Sequence, residues 1–384
     1  MRLVKATRSL SRRQLAVVLP LVVLACEELP RPADAGIAAS EDLCRLQAAV
    51  PLSPRVVVAP LYGEPRVLER AVCAACFDGQ PGAWAAGDRE LIEVHLGDQL
   101  LELPNEPASA LHLTHALHGV TLGRGVALVD LGDHWLVWQR GRAPRAVPPP
   151  LLEPGDTVWG VGGELRLHLL VRRDLPPRVR RVPLEGAELD DVTVTTLDDR
   201  PAGRLERAEQ GAVVLLGSER RVPLGDTRAI IGATVVADTV VAWAPRETVL
   251  AVAGVVERVR GRDLVLVDDE EVVVVEAAPR RVRRVVGGAW STVLQARPGA
   301  DLACVPLADG AQTIRLDAAL AHGHLALVER VRAADCGVID TVHIVELATG
   351  GLRTVARDAH LRMHIAPVDE GFGWVEAEVG RIEP

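Results

Sequence analysis

Past residue 55 the chain consists of short valine- and leucine-rich runs cut at intervals by clusters of Gly, Pro and Asp, and this pattern constrains the fold most. The runs are rich in β-branched residues and alternate with a period of two. Almost no sustained period of 3.6 is present, so they read as strands. Most pair with a neighbour across a turn. Val56-Val57-Val58 returns through Tyr62-Gly63 into Arg66-Val67-Leu68, and Ile92 to Leu96 returns at Gly97-Asp98 into Leu100 to Leu103. Further hairpins are expected where Leu136-Val137-Trp138 meets Gly141, Val213 to Leu216 meets Gly217-Ser218, and Val240 to Trp243 meets Pro245. The same pattern recurs where Val272 to Val275 meets Pro279, Ala303-Cys304-Val305 meets Asp309-Gly310, and His343-Ile344-Val345 meets Thr349-Gly350-Gly351.

The turns recur roughly every 36 residues, the footprint of a repeat architecture. A small antiparallel sheet made of such hairpins cannot hide both its apolar faces alone, and stacking the sheets in a ring solves this while leaving short, protected edges. The expected fold is therefore all-β, a single β-propeller over residues 51–384 with about seven four-stranded blades, six or eight being the neighbouring solutions. A pair of β-sandwiches is the alternative. A chain that is 48% hydrophobic can bury the core that either fold needs.

One segment carries a resemblance. His324 to Val331 reads as one strand, Asp340 to Leu347 as the next, then Thr349-Gly350-Gly351 and Leu352-Arg353-Thr354-Val355. With Ala366-Pro367-Val368-Asp369-Glu370-Gly371 ahead of Phe372-Gly373-Trp374-Val375, this order resembles the blades of TolB-like and WD40-like propellers over about the last 65 residues. The resemblance implies a ring closed by the hairpin Arg55–Leu68 joining the blade of Phe372–Glu378. It also implies protein–protein interaction in the cell envelope.

The N-terminus gives a different kind of signal. Arg2, Lys5, Arg8, Arg12 and Arg13 precede an apolar run from Leu15 to Ala25. The run is too short for a helix to cross a bilayer, which takes about 20 residues, and has the form of a secretory signal. It ends Val23-Leu24-Ala25-Cys26, which resembles the lipobox of bacterial lipoproteins. That resemblance implies removal of residues 1–25, lipidation of the Cys26 thiol, and, with Glu27 next, an outer-membrane lipoprotein facing the periplasm or exterior. Residues 26–50 read as a Pro- and Ala-rich tether and a short helix capped at Ser40. Five of the 43 basic residues lie in the signal and none of the 52 acids does, so 38 against 52 remain, a net charge of −14. An acidic surface disfavours nucleic acid, and 3% aromatic residues give no stacking platform for single strands.

Five cysteines follow Cys26, and an exported protein can cross-link them. Cys304 and Cys336 stand about one repeat apart and are candidates for a bridge, and Cys44 is a candidate partner for Cys73 or Cys76. Cys73-Ala74-Ala75-Cys76 also has the spacing of a redox pair but lacks its strand-to-helix context. His112, His115 and His118 do not share one face of a strand or helix cleanly enough for a metal. His322, His324 and Asp369 are the polar residues that would have to meet in a central channel for catalysis or small-ligand binding, while His360 and His364 read as surface residues. Two basic stretches, Arg172-Arg173 with Arg178, Arg180 and Arg181, and Arg280-Arg281 with Arg283-Arg284, read as charge that blunts sheet edges. Asp268-Asp269-Glu270-Glu271 lacks the alternate spacing of a calcium loop and reads as a hairpin tip. Gly123-Arg124-Gly125 precedes a strand, where a phosphate cradle needs a helix. The sequence therefore predicts a lipid-anchored, non-catalytic binding module for an envelope protein, with no cofactor or metal. A small-ligand-binding or enzymatic propeller using the channel is the alternative.

Overall fold

The computed structural model describes residues 51–71, 77–87, 91–104, 119–149, 152, 156–162, 164–171, 178–184, 189, 192–208, 211–217, 220–226, 229–307, 312–332 and 338–379. Residues 1–50, and with them the signal, Cys26, Cys44 and the tether helix, lie outside the described residues, as do Cys73, Cys76 and Cys336.

The described residues form strands and no helix, arranged as eight blades around a hub. Blade 1 is composite. From hub to rim it runs Leu361–Val368, Gly371–Val379, Pro51–Pro60 and Arg66–Ala71, so the first strand of the ring completes the sheet of the last. Val56 pairs with Val375, Val57 with Trp374 and Ala59 with Phe372, antiparallel, which is the closure that the blade resemblance implied. Blades 2 and 3 occupy Phe77–Pro104 and Val120–Val147. Blade 4 has three strands, Asp156–Val161, Arg166–Val171 and Arg178–Pro183, with one bridge from Arg181 to Leu189 beyond them. Blades 5 and 6 (Thr193–Pro223 and Gly232–Arg260) merge into one eight-stranded sheet, because their hub strands pair in parallel at Thr195–Thr234 and Thr196–Val235. Blades 7 and 8 occupy Leu264–Gln295 and Gln312–Asp358.

Eight blades fit where about seven were expected because the hub strands are short. Those of blades 2, 3, 5 and 7 have four residues each, and tight turns follow them. The ring also disposes of the sandwich alternative. One expected strand is absent: Ala303-Cys304-Val305 lies in the connection between blades 7 and 8. Cys304 there is disulfide-bonded, to a partner outside the described residues. Because strands alternate in direction, the first and third turns of every blade lie on one face of the ring, called face A here. The middle turns and the inter-blade connections lie on the other, face B.

The valine runs are continuous because both faces of each blade are buried. In blade 1, Val56 and Val58 pack toward blades 2 and 3 while Val57 and Ala59 pack toward blade 8. In blade 7, Val272 and Val274 join the cluster with blade 6, and Val273 and Val275 the cluster with blade 8. Side-chain period two thus feeds two separate cores from one strand. At the hub, close approach needs small residues: a Cβ on Gly123 would overlap the carbonyl oxygen of Val161 in blade 4.

The closing seam between blades 8 and 1 carries buried charge as well as Phe372 and Trp374. Arg362, 1% exposed, donates from Nε to Glu376 at 3.0 Å and from Nη2 to Asp358 at 2.9 Å, while its backbone N–H bonds Asp340 at 2.7 Å. Arg330 grips the same Asp340 carboxylate with two bonds, at 2.6 and 2.7 Å. Burial pushes the Glu376 carboxyl up, but Arg55 and Arg362 outweigh it and hold it below the usual carboxylate range. Removing one partner of such a network leaves uncompensated buried charge. Arg362→Ala is therefore expected to lower the unfolding free energy by about 3–5 kcal/mol, read from the denaturant midpoint at neutral pH. A change under about 1 kcal/mol would show that the network does not hold the seam.

Candidate functional site

The hub encloses a cavity of about 520 Å³ to which all eight blades contribute. Its lining is uneven. Blades 7, 8 and 1 supply an apolar wall that includes Val265, Leu266, Ala318, Ala319, Leu320 and Ile365. On the opposite side, blades 4 and 5 supply His168, Arg181, Thr195 and Asp199.

That polar side coincides with an exception in the packing. Apolar clusters join blades 1 to 2 to 3, 3 to 4, 5 to 6, 6 to 7, 7 to 8 and 8 to 1. Among the described residues none spans blades 4 and 5. Polar contacts hold that seam instead. His168 Nε2 lies 2.6 Å from Asp199 Oδ2, so with the carboxylate ionised the imidazole donates through Nε2. Arg166 donates to the Asp199 carbonyl at 3.0 Å, and Arg181 to the Thr193 carbonyl at 3.1 Å. Arg181 Nε is 3.7 Å from Asp199 Oδ1, beyond hydrogen-bond range, and has no hydrogen-bond partner. Burial pulls the Arg181 guanidinium below its ordinary value; Asp199 opposes that and Arg166 adds to it.

Glycine makes this arrangement possible. A Cβ on Gly162 would overlap the Asp199 carboxylate, so only glycine admits Asp199 to the seam. Gly160, on the same hub strand, leaves a window through which the second- and third-strand residues His168, Val179 and Arg181 reach the cavity. The nearest atom to a Cβ built there is His168 Nδ1, at 3.9 Å. The nitrogen not used by Asp199 therefore faces the window.

The face A mouth is crossed by one residue. Arg124, in the first turn of blade 3, bonds Asp269 at 2.6 and 2.8 Å and Asp268 at 2.9 Å, in the first turn of blade 7. These blades stand opposite each other in a ring of eight, so the side chains brace the opening.

The residues singled out in the sequence fall differently. Asp268-Asp269-Glu270 does form a hairpin tip, and Gly123-Arg124-Gly125 a hairpin turn, but the two meet across the mouth. His322, His324 and Asp369 are not in the cavity lining. His322 contacts the Val368 carbonyl at 3.3 Å, and His324 stands edge-on to Tyr62, on face A between blades 8 and 1. His360 bonds Asp358 at 2.8 Å. The arginines of blade 7 lie in its third strand rather than at an edge, and each meets an acid: Arg280 with Glu329, Arg281 with Glu276, Arg283 with Glu257 and Glu276, Arg284 with Glu271. Arg178, Arg180 and Arg181 likewise form a paired strand, with Arg181 buried. His112, His115, His118, Arg172 and Arg173 lie outside the described residues. Among the described residues no group of three His, Cys, Asp or Glu is placed to hold a metal. His168 and Asp199, 31 residues apart, carried no sequence signal; only the ring brings them together.

No family model matches the chain, and no curated protein matches it. Among solved structures, apo AztD from Citrobacter koseri is similar at 10% identity, covering 87% of this chain and 100% of that one, with a TM-score of 0.39. Oligogalacturonate lyase from Vibrio parahaemolyticus is similar at 8% identity over 67% of this chain and 86% of that one, with a TM-score of 0.35. A catalytically inactive virginiamycin B lyase from Staphylococcus aureus with quinupristin gives 7% identity, 84% and 99% coverage, and a TM-score of 0.32. Likenesses at these values carry no inference for this chain; the propeller assignment rests on its own strand order and closure.

Gly162→Ala is expected to push Asp199 out of the seam and cost about 1–3 kcal/mol in denaturant unfolding, the penalty of stranding buried polar groups. Gly160→Ala, whose Cβ meets nothing closer than 3.9 Å, is expected to stay within about 1 kcal/mol of the parent. Equal effects would contradict this account of the seam.

Proposed function

We propose that the chain is an exported, lipid-anchored β-propeller that binds a protein partner in the cell envelope and carries out no catalysis. Cys26 would carry the lipid, anchoring the ring to the outer membrane so that it faces the periplasm or exterior. The disulfide at Cys304 supports an oxidising compartment. Cys336 is the partner we assign to it, about one repeat away along the chain. Cys44 with Cys73 or Cys76 remains the second candidate bridge.

The distribution of exposed apolar side chains carries the binding role. Among the described residues six large ones are exposed: Tyr62, Val67, Leu100, Leu131, Val255 and Val286. All but Leu131 sit in or beside the outer turns of blades 1, 2, 6 and 7, on face A. Single exposed apolar residues are ordinary, but five gathered on one end of a ring, with acids such as Asp98 and Asp238 in neighbouring turns, suit a docking face. A second reading, a small-ligand binder or enzyme working in the central channel, draws on the cavity and its polar side.

Serine at Tyr62, Leu100 and Val255 together is expected to abolish capture of the partner from solubilised membranes while the melting temperature holds. Undiminished capture would remove face A from the account. In the same cells, palmitate labelling is expected to disappear in Cys26→Ala, and labelling that persists would rule out the anchor.

A further inference from the structure

We propose that the central cavity is a binding site for a small carboxylate with an apolar body, its carboxylate held at the seam of blades 4 and 5. This rests on the channel reading and is independent of the envelope partner on face A.

Four observations converge on that ligand. The first is an unmet donor. Arg181 is 5% exposed, lines the cavity, and keeps an Nε–H with no hydrogen-bond partner. A guanidinium matches a carboxylate's fork of oxygens, and this one has no carboxylate within hydrogen-bond range among the described residues, Asp199 lying 3.7 Å away. The second is His168. Asp199 takes its Nε2, so Nδ1, the nitrogen left over, faces the window at Gly160 within reach of a ligand there. The Asp199 carboxylate is itself engaged by His168, at 2.6 Å. The third is the packing exception: polar contacts replace an apolar cluster at this seam alone among the described seams, and the cavity extends into it as far as Val179 and Arg181 of the third strand. The fourth is the opposite wall. Val265, Leu266, Ala318, Ala319, Leu320 and Ile365 face the polar seam across the hub, so a molecule filling the cavity needs an acidic end and a hydrocarbon end. A volume of about 520 Å³ falls within the range of roughly 300–1,000 Å³ typical of small-molecule sites. The brace of Arg124 with Asp268 and Asp269 crosses the face A mouth, which directs entry to face B or to opening of the brace.

Phenylbutyrate, phenylbutanol and phenylbutylamine share one apolar body and differ in the end group, so titration calorimetry of the purified full chain with all three tests the assignment. The acid is expected to bind about tenfold or more tightly than the alcohol, with the amine weakest. Arg181→Gln is expected to remove the preference for acid over alcohol while the alcohol's affinity changes little. Gly160→Leu fills the window in front of His168 Nδ1 while leaving Arg181 and Asp199 in place, so it is expected to abolish binding of the acid with the melting temperature retained, whatever Arg181→Gln does to folding. Equal binding of acid and alcohol, or an acid preference that survives in folded Arg181→Gln, would overturn the carboxylate assignment. Binding of none of the three would overturn the channel reading itself and leave the partner surface untouched.

Discussion

The pairing of Pro51–Pro60 with Gly371–Val379 is the contact on which the rest of the ring depends. Each blade buries one face against each neighbour, so a row of blades that fails to close leaves two oily faces in water. Here those faces would be large. Val57 and Ala59 belong to the core shared with blade 8, and Val56 and Val58 to the core shared with blades 2 and 3. Phe372 and Trp374, both 0% exposed, pair with Ala59 and Val57 of the first strand. The charged network around Arg362 and the bonds from Arg353 to the carbonyls of Pro60 and Leu61 add direction to the same seam. Burial supplies the driving force, and these polar contacts fix the register in which it is realised.

The seam between blades 4 and 5 follows a different logic. There Gly160 and Gly162 remove the side chains that would fill the interface, and Asp199, His168, Arg166 and Arg181 occupy it. Buried ionic contacts of this kind stabilise less than packed aliphatic side chains of equal volume. The cavity opens onto those same groups. Ring and site are thus two uses of one geometry. Seven seams close the wheel, and the departure from apolar packing at the eighth gives the hub a polar side.

Much of the wheel was legible in the residues. Period-two valine runs and Gly- or Pro-marked turns located the hairpins at Tyr62-Gly63, Gly97-Asp98, Gly141, Gly217 and Gly350, because strand pattern and turn chemistry are local properties. Closure was legible from the terminal blade. The blade number was legible only as about seven, with eight among the neighbouring solutions, because it depends on strand length, and several hub strands have only four residues. The site was not legible. Asp199 follows another aspartate in an ordinary-looking turn, and His168 stands alone in a strand. Their meeting depends on which blades adjoin and on the absence of side chains at two glycines, facts of tertiary structure with no local trace. The arginine runs misled for the same reason. Their acids sit on neighbouring strands or on the next blade, as Glu257 and Glu329 do for Arg283 and Arg280.

Hydrogen–deuterium exchange of the full chain tests closure most directly. If the first strand completes the last blade, amides at residues 55–59 exchange as slowly as those at 371–377, and both open only with the ring as a whole. Fast exchange at 55–59 beside lasting protection at 371–377 would mean that the wheel is not closed by this pair, and the account built on it would fail.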